Sequence, residues 1–142
     1  MRTLMFGIGL AAAGAVAVGA LGIRAGNAAE EEYKPKVTVK TLVQESLANV
    51  KGKKVIIKHF SVPPGHVGGK HIHPGSVYVY VLEGALTIEV KGQGTQTVSA
   101  GKLYKEPLGR VMQARNLSAK GWTKFVVFQI GDEGKPMMIK AK

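Results

Sequence analysis

The sequence predicts an all-β fold, a single jelly-roll β-barrel, and three observations support that class. Short segments with strand-like patterning recur along the chain, and turn residues separate them. Nineteen glycines and six prolines suit a turn-rich architecture. Helical periodicity is weak beyond the N-terminal region, where only residues 44–49 leave room for one helical turn. Many short strands without helices favour a sandwich or barrel, of which the jelly roll is the natural small version.

The predicted strands follow one another from residue 37 to residue 139. Residues 37–43 and 85–91 largely alternate apolar and polar side chains, as half-buried strands do, whereas residues 77–82 form the unbroken apolar run of a central strand. Gly84 and the run Gly92-Gln93-Gly94 mark turns. The eight or nine segments predicted as strands are residues 37–43, 54–62, 77–82, 85–91, 96–99, 102–105, 111–117, 124–130 and 137–139.

The N-terminal 29 residues have the layout of a secretory signal peptide. Arg2 provides a basic start, residues 4–21 are uncharged and rich in Ala, Gly and Val, and small residues precede the first acidic residue, Glu30. We expect cleavage after Ala28 or Ala29. An uncleaved membrane anchor is the alternative, because residues 4–23 are nearly long enough to span a bilayer.

This layout predicts three parts in the chain and a location outside the cytoplasm. Residues 1–29 are the predicted signal peptide, residues 30–36 a polar lead-in, and residues 37–142 the β-barrel domain. We expect the protein to be periplasmic or secreted, with membrane contact only through an uncleaved signal. There is no cysteine, so disulfides, thiolate metal sites and thiol catalysis are excluded.

The chain is basic, with a formal net charge of +11. Without the arginines of the predicted signal peptide, eighteen basic and nine acidic residues leave +9. Lysines are spread along the whole chain, and the only tight basic cluster is Lys51-Gly52-Lys53-Lys54, which has the composition of a turn. Dispersed charge in an exported protein is not typical of nucleic-acid binding, so we expect no nucleic-acid partner.

The stretch that carries chemistry is His71-Ile72-His73, between a glycine-rich loop and an apolar strand. In an extended strand side chains alternate between faces, so His71 and His73 point the same way. Two imidazoles on one face can share a divalent metal when another part of the fold completes the coordination shell. His59 and His66 fall outside this pattern and are interpreted as surface or loop histidines.

The order of these parts resembles the cupin superfamily, in the form of a small single-domain cupin. Its first motif, G-x5-H-x-H-x3,4-E-x6-G, is matched by Gly65, His71, His73 and Gly84, but the glutamate position falls on Val77 or Tyr78. Its second motif, G-x5-P-x-G-x2-H-x3-N, is matched by Gly101, Pro107, Gly109 and Asn116, whereas Met112 replaces the histidine.

The resemblance implies a jelly-roll barrel with a transition-metal site, usually three imidazoles and one carboxylate. Carried over to this chain, the ligands are His71 and His73, with Met112 as a thioether at the third histidine position. A thioether favours copper. Glu106, which precedes Pro107, is the nearby carboxylate that stands in for the missing glutamate, and Tyr78 is a second possible oxygen donor. The metal is copper, iron, manganese or zinc, with its identity open.

Three functions are compatible with these residues. The first is an exported small cupin that binds a transition metal through His71 and His73, with a small-molecule-binding or oxidoreductase-like role. The second is a non-catalytic cavity-binding or sensor protein with a degenerate metal site. The third is an interaction role, and a homodimer is expected because β-barrels of this kind pair through edge strands. Whether the protein is an enzyme stays open at this point.

Overall fold

A computed structural model describes residues 29–142 of the chain. The predicted signal peptide, residues 1–29, lies outside the described residues except for Ala29. In the described range no helix is long and apolar enough to cross a membrane.

Every regular element between residues 29 and 142 is a β-strand, which confirms the predicted fold class. Nine of the ten strands coincide with predicted segments to within a few residues, and the tenth is the two-residue strand that begins at His71. The strands are β1 Thr38–Ser46, β2 Lys53–Val62, β3 His71–Ile72, β4 Ser76–Glu83, β5 Ala85–Val90, β6 Gly94–Ser99, β7 Leu103–Glu106, β8 Met112–Arg115, β9 Thr123–Asp132 and β10 Ile139–Lys140.

The helical turn considered for residues 44–49 does not form. The first strand, β1, continues through Ser46, which pairs with Lys54 of β2. Pairing with β2 satisfies the backbone groups of this segment, and the turn follows only after Ser46.

The strands form two five-stranded antiparallel sheets in a jelly-roll arrangement, rather than one continuous closed barrel. The first sheet has the order β1-β2-β9-β4-β7, and the second has the order β10-β3-β8-β5-β6. Because consecutive strands frequently lie in different sheets, residues far apart in sequence meet between them. The hydrophobic core fills this space, with contributions from both sheets.

Alternation along β4 shows how the sequence selects the inner face. Val77, Val79 and Val81 are at most 1% exposed and belong to the core, whereas Tyr78 and Tyr80 point to the outer face. The same period of two places Phe125, Val127 and Gln129 of β9 inside. Gln129 and Glu106 both lie opposite Val77 on neighbouring strands, so these three side chains form one row across the inner face.

The polar lead-in is part of the folded structure. Glu32 forms a β-bridge with Ile139, the Lys140 amide donates to the Glu31 carbonyl at 2.7 Å, and the Tyr33 amide donates to Met138 at 3.1 Å. This segment therefore continues the second sheet beyond its β10 edge, a position that its polar composition did not predict.

Candidate metal centre

A cavity of about 60 Å³ lies between the two sheets, with a polar end and apolar walls. Its polar end is formed by His71, His73 and Glu106. The walls around them are mostly aliphatic and aromatic, among them Phe60, Val62, Leu86, Phe125, Val127 and Met138. The cavity holds only a few water-sized groups, because a cavity needs roughly 10–15 Å³ to hold one water.

His71 is held by a hydrogen bond at the edge of its ring and by an aromatic stack on its face. Its Nδ1 lies 2.9 Å from the Gly69 carbonyl, and the Tyr33 ring stacks on it with centroids 5.1 Å apart and planes 11° from parallel. Burial, reinforced by repulsion from His73, lowers the pKa of His71 from 6.5 to about 4. The ring is therefore neutral at pH 7. Because a carbonyl can only accept, the ring proton sits on Nδ1 and Nε2 carries a free lone pair.

His73 is also oriented through its Nδ1 atom, by one partner on β9 and one in the loop before β10. Its Nδ1 lies 2.8 Å from the Met137 carbonyl and 3.0 Å from Oε1 of Gln129. Burial lowers the pKa of His73, although both hydrogen bonds oppose that shift. The Met137 carbonyl requires a proton on Nδ1, so the Nε2 lone pair of the neutral ring points away from these partners.

Glu106 brings a carboxylate to the same place from the end of β7. It is 7% exposed, and burial raises the pKa of its carboxyl from 4.5 to about 7. Its Oε2 lies 3.1 Å from Nε2 of His73. The same oxygen nevertheless has no hydrogen-bond partner of acceptable geometry among the described residues. The contact thus lacks the alignment of a hydrogen bond, and in the tautomer of His73 with its proton on Nδ1, Nε2 has no hydrogen to donate.

Two electron-rich atoms thus face each other at 3.1 Å in a buried site. This contact is favourable only when a positive centre lies between them: a proton held by Glu106 or His73, or a metal cation. Adjacent ligands of an octahedral metal with bonds near 2.1 Å are about 3 Å apart, which agrees with the observed separation. Two imidazoles with Nδ1 fixed by carbonyls, plus a carboxylate, are a donor set that suits iron, zinc, copper or manganese.

The three side chains do not by themselves enclose an ion. Within residues 29–142 no group of three His, Asp or Glu side chains is gathered tightly enough to form a complete metal site. The rings of His71 and His73 are 5.0 Å apart and nearly perpendicular. The types of donor atom and the distance between Nε2 of His73 and Oε2 of Glu106 nevertheless suit a metal. Two histidines with one carboxylate leave coordination positions open for another ligand.

Met112, Val77 and Tyr78, the positions where the motifs depart from the usual ligands, are placed differently. Met112 of β8 lies directly opposite His71, but its side chain is 2% exposed within the hydrophobic core, and the described cavity lining does not include it. Val77 faces inward opposite Glu106. Tyr78 lies on the outer face, where the Lys105 ammonium is 5.9 Å from its ring centroid, so it is not an oxygen donor to this cavity.

Three residues at the site were not anticipated from the sequence. Tyr33 belongs to the lead-in, which carries no signal of burial. His66, interpreted as a surface or loop histidine, is a loop residue that lines the cavity. Gln129 could have been found from the sequence, because it is a large polar side chain in phase with the apolar inward residues Phe125 and Val127.

A family model described as "Cupin domain" matches residues 58–128, which is half of the chain. This range contains both histidines, Glu106 and Met112. No curated protein matches the chain.

Solved structures resemble the fold over most of the chain. The polyketide cyclase RemF from Streptomyces resistomycificus has 21% identity over 80% of this chain and 76% of its own, with a TM-score of 0.59. An RmlC-like cupin family protein with a double-stranded β-helix fold from Methanocaldococcus jannaschii has 22% identity over 66% of this chain and 82% of its own, with a TM-score of 0.51.

A third similar structure belongs to a longer protein. The DMSP lyase DddQ from Ruegeria pomeroyi DSS-3 has 17% identity over 70% of this chain and 49% of its own, with a TM-score of 0.58. The chain thus spans about half the length of that lyase. At these identities the likeness concerns the fold alone.

Proposed function

The chain belongs to the cupin family, and from that membership we propose that it binds a divalent transition-metal ion through His71, His73 and Glu106 and presents it to a small molecule in the cavity. Met112 is not needed in this proposal, because its thioether is packed in the core. Without that soft ligand, the donor set of two imidazoles and a carboxylate is the one typical of non-haem iron sites, and zinc, manganese and Cu(II) are the competitors.

The unsatisfied Glu106 oxygen is the observation that carries the proposal. Buried polar atoms in proteins nearly always have partners, and those without one require a reason. Here Oε2 lies 3.1 Å from Nε2 of His73, and the proton of that neutral ring is on Nδ1, beside the Met137 carbonyl. Each histidine is oriented by a backbone carbonyl, which is the usual outer-shell arrangement of a metal-binding histidine.

The cavity limits which small molecules could bind beside the metal. Apolar walls surround its polar end, and an apolar surrounding strengthens electrostatic interactions. A bound divalent metal would supply Lewis-acid polarisation of an oxygen ligand or a bound water of lowered pKa. The matching ligand is a small, largely apolar molecule with one coordinating oxygen. Two of the similar structures are, by name, a cyclase and a lyase, which supports a small-molecule ligand without naming it.

Metal analysis of the natively expressed protein tests the proposal. We expect about one equivalent of a transition metal, complete loss in His73→Ala, and retention in the matched control His59→Ala, because His59 pairs with Lys40 and Val126 on the outer part of the first sheet. Reconstitution with Fe(II), Mn(II), Zn(II) and Cu(II) then ranks the metals. Metal retained in His73→Ala, or absent from the wild type under every reconstitution, contradicts metal binding at this site.

An exchange across one strand pair tests the role of Glu106 specifically. Glu106 and Val77 lie directly opposite each other on β7 and β4, so Glu106→Val removes the carboxylate and Val77→Glu offers one from the neighbouring position. We expect Glu106→Val to lose the metal and Val77→Glu/Glu106→Val to regain part of the affinity. Equal affinity of wild type and Glu106→Val would show that Glu106 is not a ligand.

A non-catalytic cavity-binding protein is the second candidate function. The observation that favours it is the incomplete gathering of ligands in residues 29–142. In that case a proton lies between Glu106 and His73, and a small apolar ligand binds without metal. Ligand binding that is unaffected by chelators would support this function over the first.

We further propose that the protein is exported through its predicted signal peptide, to the periplasm or the medium, and forms a homodimer through an edge strand. The exposed edge strands β1 and β6 support the second point, since unpaired sheet edges favour association. N-terminal sequencing of the exported protein tests the cleavage after Ala28 or Ala29. Light scattering tests the dimer, and a monomer at micromolar concentration would contradict it.

A further inference from the structure

The segment from Glu31 to Val37 runs across one side of the cavity, and we call it the strap. Tyr33, Pro35 and Val37 of the strap are half-buried and contribute to the cavity lining. None of the three lies in the matched family range, residues 58–128. The strap therefore supplies a wall of the cavity that the rest of the domain does not.

Tyr33 makes the contacts that matter most for the site. Its ring stacks on His71, 5.1 Å between centroids, and its hydroxyl accepts a hydrogen bond of 2.6 Å from the Gly69 amide. The carbonyl of the same Gly69 holds Nδ1 of His71. Tyr33 thus contacts His71 directly through its ring and indirectly through the backbone group that orients it.

Gly69 leaves the space in which the Tyr33 ring lies. A Cβ atom added at Gly69 would lie 2.6 Å from Cε2 of Tyr33 and 3.1 Å from its Cζ and hydroxyl oxygen. Contacts that short require the ring or the loop to move. The glycine at this position of the glycine-rich loop is therefore explained by the strap, not by the metal ligands alone.

The strap is held by contacts that are individually weak. Its backbone makes two hydrogen bonds to the chain around β10, through Glu31 and Tyr33. The ion pairs beside it, Glu31–Lys140 at 3.1 Å and Glu30–Lys135 at 2.8 Å, are solvent-exposed and therefore contribute little. Tyr33 and Val37 of the strap pack against the core but are only partly buried, and a short, half-buried edge segment opens at a lower free-energy cost than the core strands do.

We propose that the strap is the gate of the cavity and that Tyr33 is a positioning residue for His71. With the strap in place the cavity has room only for a few non-hydrogen atoms, and His71 is covered. When the strap opens, the Tyr33 ring leaves His71, and the metal and ligand exchange. The gating is a property of the chain without metal, whereas the control of metal exchange rests on the proposed function.

Chemical modification of His71 in the metal-free protein tests the gate. Diethyl pyrocarbonate reacts with a neutral, accessible imidazole, and mass spectrometry of peptides measures its rate at each histidine. We expect Tyr33→Ala to accelerate modification of His71 by about tenfold or more, because the opening no longer has to break the stack. Tyr33→Phe keeps the ring and should remain within about threefold of wild type, since only one hydrogen bond is lost.

Two controls separate gating from general loosening of the fold. Tyr80→Ala removes an outward-facing tyrosine of β4 and should leave the His71 rate unchanged. The rate at His59, on the first sheet, serves as an internal reference in every variant. Acceleration at both histidines, or no acceleration at His71 in Tyr33→Ala, overturns the proposal.

A double-mutant cycle tests whether Gly69 acts through Tyr33. Gly69→Ala should displace the ring and accelerate modification of His71, whereas the same change in a Tyr33→Ala background should add nothing. Additive effects would show that Gly69 acts independently and would overturn this pairing. Far-UV circular dichroism identifies a variant that fails to fold. In that case hydrogen exchange at the Gly69 amide of Tyr33→Phe is the test, because this variant lacks the hydroxyl that accepts from that amide. An unchanged exchange rate would show that Tyr33 does not hold the Gly69 loop and would overturn the proposal.

Metal release distinguishes this proposal from the proposed function. In metal-loaded protein, transfer of the metal to excess chelator should be about tenfold faster in Tyr33→Ala and close to the wild-type rate in Tyr33→Phe. If the wild type binds no metal, the proposed function fails while the modification rates still test the gate. If metal release is unchanged although His71 modification is faster, the strap does not control exchange and that part of the proposal is wrong.

Discussion

Two buried polar clusters in this molecule look alike in composition and differ in how their hydrogen bonds are satisfied. Asn116 is 1% exposed, and its amide nitrogen lies within hydrogen-bond distance of the carbonyls of Val62, Pro63 and Gly121, while its oxygen accepts from the Ser118 amide. Glu106, at 7% exposed, has an oxygen with no aligned donor. Both residues lie in the region of the second cupin motif.

The difference separates the structural role of Asn116 from the proposed binding role of Glu106. The partners of Asn116 are backbone groups at the end of β2 and in the two loops that follow β2 and β8, so this side chain ties these segments together, and no site for a further ligand is left. The partners of the histidines occupy only their Nδ1 atoms, so the atoms facing Glu106 remain open to a proton or a cation. Burial alone does not distinguish the two residues, whereas the unpartnered Glu106 oxygen beside a histidine nitrogen does.

The largest expected effect comes from removing the satisfied cluster. Asn116→Ala should lower the free energy of unfolding by about 3 kcal/mol, because it leaves buried carbonyls without donors. Metal stoichiometry of the folded variant should not change. Urea denaturation measures the loss, and the exposed Asn49→Ala is the matched control. Loss of metal at full stability would contradict the separation of the two clusters.

Removal of a hydrogen-bond partner of His73 should have the next largest effect. Gln129→Ala removes a partner of His73 at 3.0 Å, and we expect metal affinity to fall by about 10- to 100-fold. Competition with a chromophoric chelator measures the change, with the exposed Gln96→Ala as control. Unchanged affinity would show that the Met137 carbonyl alone orients the ring.

In the metal-free protein, the shifted pKa values of Glu106 and His71 make the free energy of unfolding depend on pH. The pKa of Glu106 is about 7 in the folded state and 4.5 when unperturbed, so the folded state binds more protons between these values and this carboxyl makes stability fall as pH rises. His71, with a pKa lowered from 6.5 to about 4, makes stability rise over an overlapping range.

Glu106→Gln removes only the first of these two contributions. The stability of this variant relative to wild type should therefore increase with pH between 4.5 and 7, by up to about 1.4 kcal/mol per pH unit. Urea denaturation at several pH values measures it. Parallel stability curves for the two proteins would mean that the carboxyl has an ordinary pKa.

Substitution of Met112 should have the smallest effect. Met112→Leu conserves volume in the core and should cost less than about 1.5 kcal/mol of stability, with no change in metal content. Met112→His, which restores the usual cupin residue opposite His71, should raise the preference for zinc or iron. Loss of metal in Met112→Leu would restore the sequence-based prediction that Met112 is a ligand.

Most of the strand pattern was predictable because it is local. Alternation in residues 85–91 and the unbroken run at residues 77–82 report burial on one or both faces, and the turn residues between them limit each strand. The His71–His73 pair was predictable for the same reason, since residues two apart in a strand share a face. The two motifs then identified the fold through their spacing.

The composition of the site's remaining wall was not predictable in this way. In sequence, Glu106 is merely the carboxylate that precedes Pro107 of the second motif, whereas what brings it to His73 is the pairing of β7 with β4 opposite Val77. Tyr33 reaches His71 only because the lead-in joins the second sheet at β10. A polar lead-in gives no local indication of such a position.

Local patterning was sufficient to predict the fold class, the two histidines and the face they share, since each of these follows from periodicity within a few residues. The inward position of Glu106, the packing of Met112 in the core and the stack of Tyr33 on His71 come instead from contacts between distant segments. The physical reason is that these positions depend on strand register between segments far apart in the chain, where a shift of one residue would turn each side chain to the opposite face.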